Sequence, residues 1–169
     1  FSRVLDSIID GGKSGFNLGL AIAPGVMVVS TLIFMVTFGP GEHGYDGSAY
    51  QGVPFTPWLA DKADFVFDWM FGFKDSELVT FPITSLASLG AAIGQLPQFV
   101  DKGILTPNAA CVFTAMGVSW SGFLSVYGSI MDEAGMRAQA GVCMMVHFAS
   151  GLLAGTVAHW LFTLYTLMW

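Results

Sequence analysis

Residues 78–100 read LVTFPITSLASLGAAIGQLPQFV. The run carries no charged residue. It holds two prolines (Pro82, Pro97), two glycines (Gly90, Gly94) and six polar side chains: Thr80, Thr84, Ser85, Ser88, Gln95 and Gln98. A straight lipid-facing helix has no use for these. In a bilayer every backbone polar group must be satisfied, so broken backbone survives only inside protein or beside a wet cavity. Broken or re-entrant helices at solute sites have this composition. A span packed closely through small residues would also use Ser, Ala and Gly. The Gly and Pro content favours helix–break–helix, with the break expected near Gly90–Gly94.

Outward from this run, charges are sparse. Residues 14–41, 103–131 and 138–169 are also free of Asp, Glu, Lys and Arg. A spanning helix needs about 20 predominantly apolar residues. The expectation is an all-α integral membrane protein with about four membrane segments, one of them broken or re-entrant. Composition agrees. Over 169 residues, 54% are hydrophobic and only 11% charged, against roughly 25% charged in a soluble domain. Mean hydropathy is +0.65. A water-soluble enzyme and a disordered chain are both excluded on these grounds. The first apolar run is too long for a signal-peptide core and reads as a retained helix.

The chain divides as a single membrane domain. Residues 1–10 place Phe1, Val4, Leu5, Ile8 and Ile9 on one helical face, which predicts an interfacial amphipathic helix ended by Gly11-Gly12. A span over 16–38 follows. After a Gly- and Pro-rich loop, 56–73 reads as a second interfacial helix. Its Leu59, Ala63, Val66, Phe67 and Met70 form an apolar face, and Trp58 and Trp69 suit an aromatic belt. Asp61, Asp64 and Asp68 share its other side, where a solvated face is favoured over a cation site. The segment 78–100 comes next, then spans over 106–131 and 139–168. Gly117, Ser121 and Ser125, and the pair Gly151/Gly155, are small-residue faces for close helix packing.

The chemistry on offer is neutral. No nucleophile–base arrangement, phosphate loop or HExxH motif is present, so no enzyme activity and no cofactor are expected. The acidic balance of −6 gives no footprint for nucleic acid. The intramembrane inventory of hydroxyls and amides suits recognition of a small polar solute. The expected substrate-binding residues are Thr84, Ser85, Ser88 and Gln95, facing Asn108 and Ser121 of the next helix. Cys143 and His147, at i and i+4, are weak candidates for a metal role. Both cysteines, Cys111 and Cys143, lie in apolar runs and read as free thiols.

Three stretches carry a family resemblance: FSRVLDSIIDGGKSGFNLGLAIAPGVMVVSTLIFMVTFG (1–39), DWMFGF (68–73) and FPITSLASLGAAIGQLPQFVDKGILTPNAA (81–110). Together they resemble the nucleoside-recognition, or Gate, domain of bacterial inner-membrane proteins, and the small paired and spore-maturation-type members most of all. The resemblance implies a multi-pass protein of the bacterial inner membrane. It also implies half of an inverted-repeat transporter core with a hairpin around 78–100. The solute would be small and polar, with nucleosides as one candidate class, because the resemblance does not fix the substrate. The hairpin lacks the carboxylate that nucleoside transporters use, which argues against sodium-coupled nucleoside transport. Because the chain contains no internal repeat, an identical or homologous second subunit is expected, in an obligate oligomer within the bilayer. A non-transporting scaffold or assembly protein and a metal-ion permease component are the alternatives. Orientation is not set by charge. If 78–100 re-enters, Arg3, Lys13 and Arg137 oppose Lys62, Lys74 and Lys102; if it spans, the division is again three to three.

Overall fold

At Ser88 the backbone leaves the helical region (φ −160°, ψ 120°) and helix α4 (Thr80–Ala87) stops. The Ser88 side chain then caps the start of α5 (Leu89–Ile93) by accepting from the Ala91 N–H. One extended residue thus ends one helix and begins the next. A second turn at Gly94–Gln95 leads into α6 (Leu96–Asp101), with Pro97 in its first turn. The segment therefore breaks twice, at Ser88 and at Gly94–Gln95. The second break falls at the expected Gly94, whereas the first lies at Ser88, before Gly90, which sits inside α5. An extended backbone needs no glycine, and a serine that can cap the next helix serves better there.

The broken segment folds back on itself. The Gln95 amide Nε2 donates to Thr84 Oγ1 at 2.7 Å. Eleven residues of straight α-helix would separate those two positions by about 16 Å. Farther out, Lys102 forms an ion pair with Glu77. The two arms therefore return to the same end, as a hairpin.

These features come from a computed structural model that describes residues 2–41, 43–47 and 51–169, without the side chains of Ser2, Ser125, Ser129 and Glu133. Phe1 of the N-terminal apolar face and the side chain of Ser125 thus lie outside the described residues. Among the described residues the fold is all-helical, with no strand.

Helix α1 runs unbroken from Ser2 to Thr37, through Gly11, Gly12 and Pro24. The expected division into an interfacial helix and a separate span is corrected. Neither glycine needs a positive φ, and each costs only about 1 kcal/mol inside a helix. The expected helix over 56–73 is two, α2 (Phe55–Lys62) and α3 (Asp64–Phe71), parted at Ala63. The expected span over 106–131 is also two: α7 (Pro107–Trp120) and α8 (Phe123–Glu133). Between them Gly122 takes the left-handed conformation (φ 73°), which is open to glycine without a Cβ clash. Helix α9 covers Ala140–Met168.

Among the described residues two helices, α1 and α9, are long and apolar enough to cross a membrane, fewer than the four segments expected. The breaks at Ser88, Gly94–Gln95 and Ser121–Gly122 leave no comparable length elsewhere. Around α1, large apolar side chains such as Phe16, Leu20, Met27 and Leu32 stay exposed. Leu18, Ile22, Val26, Val29, Ile33 and Thr37 form the face that packs, against α4 and α8.

Helix α7 is the centre. Phe113 stacks on Phe81 of α4, with centroids 4.1 Å apart and planes 9° apart, and Phe73 and Phe99 flank it. Its other face lies antiparallel against α9. There Gly151 and Gly155 press on Trp120 and Met116, leaving no room for a Cβ. Gly117 does the same toward Leu89 and Phe81. Gly117, Gly151 and Gly155 of the small-residue faces thus pack within the chain, whereas Ser121 is exposed.

Candidate functional site

The hairpin buries a polar pair. Thr84 and Ser85 are fully buried, and Gln95 is 3% exposed. Gln95 bridges the two arms: its amide nitrogen serves Thr84, while its Oε1 lies 3.4 Å from the Thr80 hydroxyl. Thr80, however, has one hydroxyl proton, and Glu77 O accepts from it at 2.6 Å. The Gln95 carbonyl oxygen is therefore a buried acceptor without a committed donor.

Beside it lies a cavity of about 650 Å³. Its walls are the end of α1, the following loop and both arms of the hairpin. Thr37, Gln51, Thr80, Gln95 and Gln98 line it with neutral polar groups, and the Glu77–Lys102 pair stands in its wall. The loop is fixed there because Val53 N–H donates to the free Met35 carbonyl at the end of α1 (2.8 Å), as helix ends require. Thr37 is 3% exposed, and its Oγ1 has no hydrogen-bond partner among the described residues. A buried polar group left unpaired costs about 1–3 kcal/mol. Thr37, which carries such a group, lines one cavity with Gln95, whose Oε1 is only weakly served by the Thr80 hydroxyl at 3.4 Å. Volumes of roughly 300–1,000 Å³ are those of small-molecule sites.

The expected site residues divide. Thr84 and Gln95 come together, bonded to each other. The Ser85 hydroxyl donates back to Pro82 O (2.7 Å) and the Ser88 hydroxyl caps α5, so both serve the local backbone. Ser121 is exposed at the second helix break. There the neighbouring Gly122 N–H donates to Ser85 O at 2.8 Å. Asn108 is not part of this site, which corrects the expectation. It lies at the other end of α7's contact with α9, donating to Phe71 O (2.7 Å) and meeting His159 Nδ1 (2.9 Å).

Thr37, Gln51, Thr80 and Gln98 were missed. Thr80 and Gln98 were visible as polar residues of the broken run. Thr37 carried only one signal, its place just before Gly39-Pro40-Gly41 at a helix end.

His147 bonds through Nε2 to the Ser119 carbonyl and stacks on Phe123, with centroids 5.1 Å apart. Because α7 stops at Trp120, that carbonyl has lost its helical donor, and the imidazole supplies one. Among the described residues, no group of three or more His, Cys, Asp or Glu side chains could hold a metal ion. Asp68 pairs with Lys74 at 2.7 Å.

Comparison of the chain with family models, with curated proteins and with solved structures gave no match in any of the three.

Proposed function

We propose that the chain is a membrane transport subunit for a small, neutral, polar solute, bound in the cavity beside Gln95. The observation that carries this reading is the buried Thr37 Oγ1, without a partner among the described residues, in the lining of one cavity with Gln95, whose Oε1 meets only a long 3.4 Å contact from the Thr80 hydroxyl. A solute with hydroxyl or amide groups supplies a donor to Gln95 and a partner to Thr37. A charged solute finds no counter-charge, because Glu77 and Lys102 already neutralise each other.

In this reading α1, the interrupted α7–α8 and α9 cross the bilayer. The hairpin α4–α5–α6 enters from one side and returns to it. Two broken segments packed together give half-helix ends near the middle of the membrane, as in transporters built from discontinuous helices. The Gly122–Ser85 hydrogen bond supports that packing. The resemblance of 1–39 and 81–110 to Gate domains points the same way, toward the bacterial inner membrane and toward a second subunit. One hairpin and three crossings enclose little, and paired repeats complete such sites. Gly151 and Gly155 are already covered, so the second subunit meets other surfaces. Residues 3–17 of α1, exposed along their whole length, offer one.

The test is a thermal-shift screen of the purified protein against neutral polyols, sugars, nucleosides and amides. A binder raises the melting temperature of the wild type. The shift is lost in Thr37→Val and in Gln95→Leu. A binder whose shift survives both substitutions places the site elsewhere.

A further inference from the structure

A second cavity, of about 480 Å³, lies at the foot of the α7–α9 contact. Its chemistry differs from the first. The Asn108 amide nitrogen faces two carbonyls, Phe71 O at 2.7 Å and Gly72 O at 3.4 Å. That fixes the amide orientation, so Asn108 Oδ1 is the atom facing His159 Nδ1 at 2.9 Å. Oδ1 can only accept, so Nδ1 carries the proton. In the neutral ring Nε2 is then an acceptor. Gly72 makes the approach possible: it closes α3 at φ 64°, and any Cβ there would run into His159 and Asn108.

Around this imidazole stand one carboxylate and one ammonium, Asp68 and Lys74, paired at 2.7 and 2.9 Å. Two of the three Lys74 protons are used on Asp68, which leaves one. Trp69 and Trp160 stand edge to face, with centroids 6.5 Å apart, and both are exposed. Because the chain is read as a membrane subunit, this level is its interface. It contains the charged ends Asp68, Lys74 and Lys102 and the start of α7 at Pro107. Exposed tryptophans favour that depth.

The geometry points to a binding site for a zwitterionic phospholipid headgroup that carries a primary ammonium. The ammonium donates to His159 Nε2 and to Asp68, and the phosphate accepts from the free Lys74 proton. The site is neutral overall, as a zwitterion requires, and the acyl chains lie along the exposed face of α9 beyond the tryptophans. A neutral acceptor imidazole also selects N–H donors over a quaternary ammonium, which has none.

The experiment is native mass spectrometry of the detergent-purified protein exchanged into equal amounts of phosphatidylethanolamine and phosphatidylcholine. The wild type retains phosphatidylethanolamine about tenfold better, the worth of one charge-assisted hydrogen bond. His159→Phe removes that preference. Lys74→Gln weakens both lipids and leaves their ratio unchanged, and free phosphoethanolamine does not compete. Equal retention, a preference for phosphatidylcholine, a preference that survives His159→Phe, or competition by free phosphoethanolamine overturns the proposal. The wild-type comparison decides the matter even if His159→Phe fails to purify. A protein that stays in solution without detergent and retains no phospholipid overturns the membrane reading itself, which is a distinct result.

Discussion

The peptide N–H of Gly122 donates to the carbonyl of Ser85 across 2.8 Å, joining the break between α7 and α8 to the last turns of α4. Each break frees backbone groups that a continuous helix would satisfy. Here the donor freed by one broken segment is paired with a carbonyl of the other. The non-helical Ser121 (ψ 63°) turns this N–H across the gap and the left-handed Gly122 then sends α8 onward, so the two residues together fix how the hairpin sits against the α7–α8 break.

Gly122→Ala should therefore destabilise the protein. A left-handed alanine costs about 1–2 kcal/mol, which lowers the melting temperature by roughly 2–4 °C per kcal/mol in a chain of this size. Gly128→Ala is the control. Gly128 lies inside α8 with open space where a Cβ would go, so its substitution should stabilise by about 0.5–1 kcal/mol. Thermal melts of the two variants in one detergent check the opposite signs.

Gly155→Leu should lower the melting temperature more than Gly122→Ala, because the added side chain meets Met116 and Phe71 in the α7–α9 seam and overpacking costs about 1–3 kcal/mol or more. The oligomeric mass should not change. A variant that melts like the wild type but changes its mass would assign Gly151/Gly155 to a subunit interface instead.

Parts of this architecture were legible in the sequence. The charge-free runs and the 3.6-residue pattern gave helices throughout, and the Pro, Gly and hydroxyl content of 78–100 marked the hairpin. Thr84 and Gln95 were among the six expected solute-binding residues, although the hairpin bonds them to each other. Three features were not legible. The break at Ser121–Gly122 combines a non-helical Ser121 (ψ 63°) with a positive φ at Gly122 that a glycine permits but does not announce. The continuity of α1 through Gly11 and Gly12 reflects the small cost of glycine in a long helix. Thr37 joins the cavity only because the chain after residue 38 folds back over the end of α1, through Val53 on Met35, a non-local contact with no local signature. Asn108 was misplaced because α7 presents it to α9 and not to the hairpin.

A double-mutant cycle tests the Gln95–Thr84 bond. Gln95→Leu and Thr84→Val each leave a buried polar partner unpaired, at about 1–3 kcal/mol apiece. The double variant should lose less than the sum, with a coupling of about 1 kcal/mol. Strict additivity in chemical or thermal unfolding would show that the pair does not interact.

Thr37→Val should separate stability from function. Its hydroxyl has no partner among the described residues, so its removal should leave stability unchanged or raise it by about 1 kcal/mol. Solute affinity should fall by roughly tenfold, the loss of one hydrogen bond. A clear drop in melting temperature would mean that Thr37 has a structural partner.

The central claim is that residues 78–100 enter and leave on the same side, which brings Gln95 back to Thr84 and shapes the cavity. Single cysteines at positions 74, 102 and 136 can be introduced after Cys111 and Cys143 are replaced, since both are free. Sealed, right-side-out and inside-out vesicles are then treated with a membrane-impermeant maleimide. Lys74→Cys and Lys102→Cys should label from one and the same side, and Met136→Cys from the other. Labelling of Lys74→Cys and Lys102→Cys from opposite sides would make 78–100 a crossing helix and contradict the account.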